Sequence, residues 1–240
     1  MQNINIRLIL QSISFVIAGI SLLHGKADET PEVQHAKRLE LAVAENPEDL
    51  DLHYDLGLAY NELALNDDED AIDKAIDQFE YILEQDPTRV KAMAFIGSLT
   101  VLKARYSSIF TKLSHAEKGF DILDKAVETA PDDPDVRLIR AANSSEVPGF
   151  LGRSDEAEAD FDWLLANIEL NPDWFNDGLR RSVYFYAGEF ALKKDDDSAV
   201  ELLLAAQTTP GASRLEHRID EALEEARKEF PDSFQEPKEL

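Results

Sequence analysis

Cysteine is absent from this chain. That excludes disulfides, a thiol nucleophile, a thiolate metal site and a lipidated cysteine, so stability has to come from burial alone. Positive charge is scarce as well: 24 Lys and Arg stand against 49 Asp and Glu, a formal net charge of −25. Clustered basic side chains are what grip a phosphate backbone or an anionic membrane, and this balance argues against both nucleic acid and such a surface as partners. A solvated acidic surface, suited to a saline habitat, accounts for the excess; a cationic partner or divalent ions are the alternative. Glycine and proline number only ten each, and no linker-like tract separates two domains.

Catalytic signatures are missing too. His35, His53, His115 and His217 are scattered, with no HExxH or other paired spacing for zinc, and there is no GxSxG elbow, phosphate-binding glycine loop or GxGxxG. Carboxylates are so numerous that a pair at glycosidase spacing carries no information. The expectation is a non-catalytic protein without cofactor or metal. The acidic runs NDDED at 66–70 and KKDDDS at 193–198 lack the alternating ligands, turn glycine and bidentate Glu of a calcium loop. Each precedes a helical pattern, where Asp caps a helix and favours its dipole.

The apolar stretch LILQSISFVIAGISLL has 16 residues and includes Gln11, Ser12 and Ser14, short of the ~20 that a membrane-spanning helix needs. It follows a segment with Arg7 and no acid, and Gly25 and Ala27 offer a small-residue cleavage site before Asp28 and Glu29. This is the pattern of a cleavable export signal over 1–27, with the protein in the periplasm or outside the cell. An uncleaved anchor is the alternative.

What is present is a period. Pro47, Pro87, Pro131, Pro172 and Pro210 recur at intervals of 40, 44, 41 and 38 residues, each directly after an amphipathic run such as AIDQFEYILEQDP or GFDILDKAVETAP. A helix ends, proline blocks its continuation, and a new apolar pattern begins, which is how a helical repeat reads in sequence. Thr30 and Pro31 open a leading helix over about 31–45. From Leu56-Gly57 and Tyr60 through Ala75 and Phe79 to Pro87, small residues let two antiparallel helices approach while the rings fill the space between them. A second unit places Ile96 and Gly97 on one helix and Gly119, Leu123 and Ala126 on the next. Its extra residues, VLKARYSSIF, are expected to lengthen the first helix before Ser114-His115-Ala116-Glu117 restarts the chain as a capping box, with His115 in a first turn at the surface. The third unit is irregular: PDVRLIRAANSSE, a connection VPGFLGR, then SDEAEADFDWLLANIEL. The fourth pairs Tyr186, Ala187 and Gly188 with Ala199, Leu203 and Ala206. A second capping box at Ser213-Arg214-Leu215-Glu216 opens a terminal helix to about Phe230, whose Arg218, Glu221, Glu225 and Lys228 form a polar outer cap; residues 231–240 are expected to form a flexible tail.

The order Leu-Gly, Tyr, Ala, aromatic, Pro over residues 56–87, apart from the extra residues NDDEDA, resembles the tetratricopeptide repeat, and the resemblance runs over roughly 31–230. The third unit departs from it, with Arg140-Ala141 in place of Leu-Gly. The resemblance implies an all-α, single-domain α-solenoid of antiparallel helical hairpins over 28–230, wound as a right-handed superhelix. It also implies a concave groove, lined by the first helix of each hairpin, that holds a protein or peptide segment. On that analogy Asp51, Tyr54, Asn61, Lys91, Ser98 and Arg105 face the groove, while Leu58 stands where a carboxylate-clamping member would carry Asn. The block from LDKAVETAP to EAEADF is similar to a segment of exported bacterial TPR-like proteins, a likeness that brings no activity with it. The implied role is an exported interaction or assembly scaffold. A periplasmic accessory subunit of a solute-transport system, holding a small ligand between helices, is the alternative.

The irregular unit is the other candidate site. Arg137 and Arg140 lie three apart on one helical face, where a regular repeat buries apolar side chains, and Pro148, Gly149, Phe150, Gly152 and Arg153 follow in a long turn. Arg tolerates partial burial only with partners, and this chain has many carboxylates. Two readings stay open: a salt-bridge network pinning the turn, or a recognition site with Phe150 as its apolar anchor.

Overall fold

The computed structural model describes residues 30–211 and 213–234; the expected signal at 1–27 and residues 235–240 of the tail lie outside these. Ten α-helices follow one another among the described residues: α1 Pro31–Glu45, α2 Leu50–Leu65, α3 Glu69–Gln85, α4 Val90–Lys103, α5 Ile109–Thr129, α6 Pro134–Glu146, α7 Ser154–Leu170, α8 Asp177–Lys193, α9 Ser198–Thr208 and α10 Glu216–Glu229. None of them is long and apolar enough to cross a membrane.

The five recurring prolines each sit directly behind a helix cap. Asn46, Asp86, Ala130, Asn171 and Thr209 close α1, α3, α5, α7 and α9 in non-helical conformations. The physical cause is steric, since a proline ring disfavours the helical conformation in the residue before it. Side-chain caps set several of the starts. Thr30 accepts from the Val33 N–H, Asp49 from Asp51 and Leu52, Asp133 from Asp135 and Val136, and Asn176 from Leu179. Each such cap contributes about 1 kcal/mol.

At the opposite edge of the stack the two acidic runs build hairpin turns. Asp67 (φ 67°) and Asp195 (φ 56°) adopt the left-handed conformation. The next residue closes the same long turn in each case, Asp68 N–H to the Leu63 carbonyl and Asp196 N–H to the Ala191 carbonyl, the bond that ends a helix in a left-handed cap. Asp196 also caps α9 through the Ser198 N–H. No group of three or more His, Cys, Asp or Glu placed to hold a metal ion occurs among the described residues.

Within the hairpins, glycine on the first helix admits a large side chain of the second. A Cβ on Gly57 would stand 2.7 Å from the Phe79 ring, which is why that ring can be fully buried there. The tightest crossing joins α4 and α5: a Cβ on Gly119 would fall 2.7 Å from the Val101 nitrogen and 2.8 Å from the Gly97 carbonyl oxygen, so backbone meets backbone. Among the described residues the core falls into four clusters that follow the chain: Ile72, Phe79 and Leu99 in the first, Leu123 and Val136 in the second, Leu164 and Val183 in the third, Leu203 and Ile219 in the fourth. His53 belongs to the first hairpin's packing: its ring stacks on Tyr81, with Nδ1 2.8 Å from Gln78 Oε1 and Nε2 3.0 Å from the Pro47 carbonyl.

Two local expectations are corrected. The extra residues of the second unit lengthen its second helix, not its first: α4 stops at Lys103, a 3-10 turn covers Ala104–Tyr106, and α5 starts at Ile109 and runs for 21 residues. Ser107 is the reason, because its hydroxyl bonds back to the Lys103 carbonyl and lies 2.7 Å from His115 Nδ1, which pulls His115 into a half-buried place in the second turn. Ser114 is therefore inside a helix. At the far end Ser213–Leu215 forms a 3-10 turn and α10 begins without a side-chain capping bond. Pro231–Phe234 adds a further 3-10 turn, with the Arg227 guanidinium 4.8 Å over the Phe234 ring.

Candidate interaction site

Among the first helices α4 packs on α6 and, more lightly, α6 on α8 and α8 on α10, while α2 joins the stack chiefly through α3. This row of first helices is the side on which the resemblance would place a groove. Polar pairs cross between them along its length. Arg89, at the start of α4, donates to Asp51 of α2 (2.8 Å), and Lys91 of α4 pairs with Asp135 of α6. Asn143 of α6 donates to Ser98 of α4 (2.9 Å), Lys193 of α8 to Glu146 of α6 (2.8 Å), and Arg218 of α10 to Glu189 of α8 (2.8 Å). Exposed pairs of this kind contribute less than about 1 kcal/mol each, so their main effect is to set the angle between units.

Tyr54 and Asn61 lie on α2, and Lys91 and Ser98 on α4. Tyr54 sits half-buried, edge-on to Phe79 (5.7 Å) and Phe95 (6.1 Å). Burial, and then the charges of Asp135, Asp133 and Asp55, push its phenol up to about 12. Asn61 is half-buried two turns further along α2. Arg105 is placed elsewhere, because α4 ends before reaching it; it lies in the 3-10 turn and faces Asp67 at 3.5 Å, bracing the neighbouring hairpin turn.

In the third unit the arginines form a salt-bridge network. Asp160 of α7 is 0% exposed and accepts from Arg137 Nη1 (2.7 Å) and from Arg140 Nε (2.7 Å) and Nη2 (2.9 Å). Arg140 also reaches Asp124 of α5 (3.2 Å), which Arg153 holds through both terminal nitrogens (2.9 and 2.7 Å). Burial pushes the Asp124 carboxyl up, but Arg153 and Arg140 outweigh it and hold the group below the usual carboxylate range. The guanidinium groups are also stacked, Arg137 4.4 Å over Trp163 and Arg153 4.6 Å over Phe120. Three helices and the 147–153 connection are thus tied together, and these arginines are directed at carboxylates. Phe150 differs: it projects from the connection at 84% exposure. Sequence reasoning missed Asp160, although an acid inside the apolar series Ala157, Phe161, Leu164, Ile168 is the counterpart of two arginines intruding on a core face.

Two hollows open on the surface. One, between α8 and α10, is lined by Glu189, Leu192, Lys193, Arg218, Glu221 and Glu225. Burial and then the charge of Glu146 push the Glu189 carboxyl above its ordinary value against the pull of Arg218 and Lys193. Arg218 lies 4.7 Å over Phe185 and 5.5 Å over Tyr186, so it packs onto α8 instead of forming a detached polar cap. The other hollow, at the α5–α6 turn, is lined by Lys91, Pro131, Asp132, Asp133, Asp135 and Trp174.

No protein-family model matches the chain, and no curated protein matches it. Among solved structures it is similar to TTC0263, a thermophilic TPR protein of Thermus thermophilus, with a TM-score of 0.60 and 20% identity, covering 78% of this chain and 88% of that one. The likeness is one of fold: this chain is an all-α solenoid of the tetratricopeptide type.

Proposed function

We propose that this protein is an exported, non-catalytic scaffold that holds a protein or peptide segment against its concave face. The first helices carry the reading: polar and aromatic side chains such as Tyr54 and Asn61 stand half-exposed on α2, which Asp51 ties to Arg89 at the start of α4, and α4 is paired in turn with α6. Sites built on rigid elements hold a ligand with little ordering cost. A transport accessory that encloses a small ligand would instead call for a closed apolar pocket. Affinity capture from periplasmic extract tests this, with a single stoichiometric protein partner expected and weaker capture by Tyr54→Ala and Asn61→Ala. A co-purifying metabolite with no protein would overturn it. Export with cleavage between Ala27 and Asp28 rests on the residues of segment 1–27. Intact mass of the periplasmic protein decides that point, and recovery of residues 1–27 in a membrane fraction would point instead to a tethered scaffold.

A further inference from the structure

Three arginines of this protein are held in the same manner. Arg137 lies over Trp163 and pairs with Asp160, Arg153 lies over Phe120 and pairs with Asp124, and Arg218 lies over Phe185 and pairs with Glu189. A guanidinium is planar and weakly hydrated, so a ring beneath it and a carboxylate at its edge satisfy it together. The hollow at the α5–α6 turn presents the same two components to solvent. Trp174, in the short turn after α7, is 45% exposed and stacks on Trp163 (6.1 Å between centroids), the ring that carries Arg137. The same hollow is lined by Asp132, Asp133, Asp135 and Lys91, with Ala130, Pro131 and Pro134 between them. Lys91 is paired with Asp135, and Asp133 is engaged in capping α6. Asp132 is exposed and has no side-chain partner among the described residues.

Building on the scaffold reading, we propose that this hollow is the docking point for an arginine side chain of a basic partner segment, with the guanidinium against Trp174 and its charge matched by Asp132. A partner of that charge is also the one a chain of net charge −25 attracts over distance. Arginine is preferred over lysine because only the guanidinium can stack on the ring and offer a forked edge to a carboxylate.

Trp163 and Trp174 are the two tryptophans of the chain, so intrinsic tryptophan emission reads this stack alone. The test titrates the protein with blocked hexa-arginine and hexa-lysine at fixed ionic strength, following both tryptophan emission and the anisotropy of dye-labelled peptide. Hexa-arginine should change the emission saturably and bind more tightly than hexa-lysine. Trp174→Ala should weaken hexa-arginine about fivefold and Asp132→Asn about threefold. Asp132→Asn alters an exposed side chain, so it remains informative if Trp174→Ala disturbs folding. Equal affinity for both peptides, unmoved emission, or binding insensitive to Asp132→Asn would overturn the site and leave only diffuse attraction to an acidic surface. Capture of a periplasmic partner that persists when Trp174→Ala and Asp132→Asn are combined overturns the docking point but not the scaffold. Hexa-arginine binding here with no protein captured overturns the scaffold and leaves the guanidinium site standing.

Discussion

Replacing Arg137 and Arg140 together by Met keeps the length of both side chains and much of the packing on Trp163, but removes all three hydrogen bonds to Asp160. The carboxylate would then be buried without a partner. Breaking a buried ion pair from one side costs about 3–5 kcal/mol. Proton uptake sets a ceiling on that loss, since protonating an ordinary aspartate at neutral pH costs about 4 kcal/mol. The expected destabilisation is therefore about 3–4 kcal/mol, or a fall of about 10 °C in Tm for a chain of this size. Far-UV circular dichroism in urea and on heating measures both. Adding Asp160→Leu removes the orphaned charge and should recover most of the stability. Unchanged melting of the double variant would refute the network as a stabilising element and return the two arginines to a recognition role.

Gly119→Ala drives a methyl group into the Gly97 carbonyl and the Val101 nitrogen, backbone atoms that cannot yield, and should cost about 1–3 kcal/mol in urea unfolding. Phe150→Ala should change stability by less than about 0.5 kcal/mol, since the ring is in solvent; a large loss would mean that it packs in a core. Asp195→Gly relieves a left-handed aspartate and should stabilise by about 0.5–1 kcal/mol, visible as a higher Tm. Asp124 and Glu189 should have opposite signs in the pH dependence of stability. Asp124, held low, contributes stability that is present above its unfolded value near ~3.9 and lost as the pH falls through its folded value. Glu189, held high, opposes folding near neutrality, an effect relieved as the pH falls towards ~4.3. Glu189→Gln should flatten that part of the profile, and an NMR titration that put Glu189 at or below the ordinary glutamate value would contradict its environment.

Helix ends, the first cap and hairpin order were legible because each is decided by neighbours in the chain. Pro47, Pro87, Pro131, Pro172 and Pro210 stop helices by a clash with the residue just before them, and Thr30 starts α1 by bonding an amide three residues on, whereas the caps at Asp49, Asp133 and Asn176 were missed and the two expected capping boxes did not form. Gly57 opposite Phe79 was legible for a related reason, a fixed spacing within one hairpin. Packing across hairpins was not. Where the second unit's extra residues went depended on Ser107 finding both the Lys103 carbonyl and His115. That Arg137 and Arg140 share a buried Asp160 more than a turn of helix and a whole connection away, and that Trp174 comes to stand beside Asp132, depend on the angles at which helices cross. Those angles come from the summed packing of many side chains, so the sequence by itself determined the order of the helices and most of their ends, while only the tertiary structure decided which charges meet and which stay at the surface.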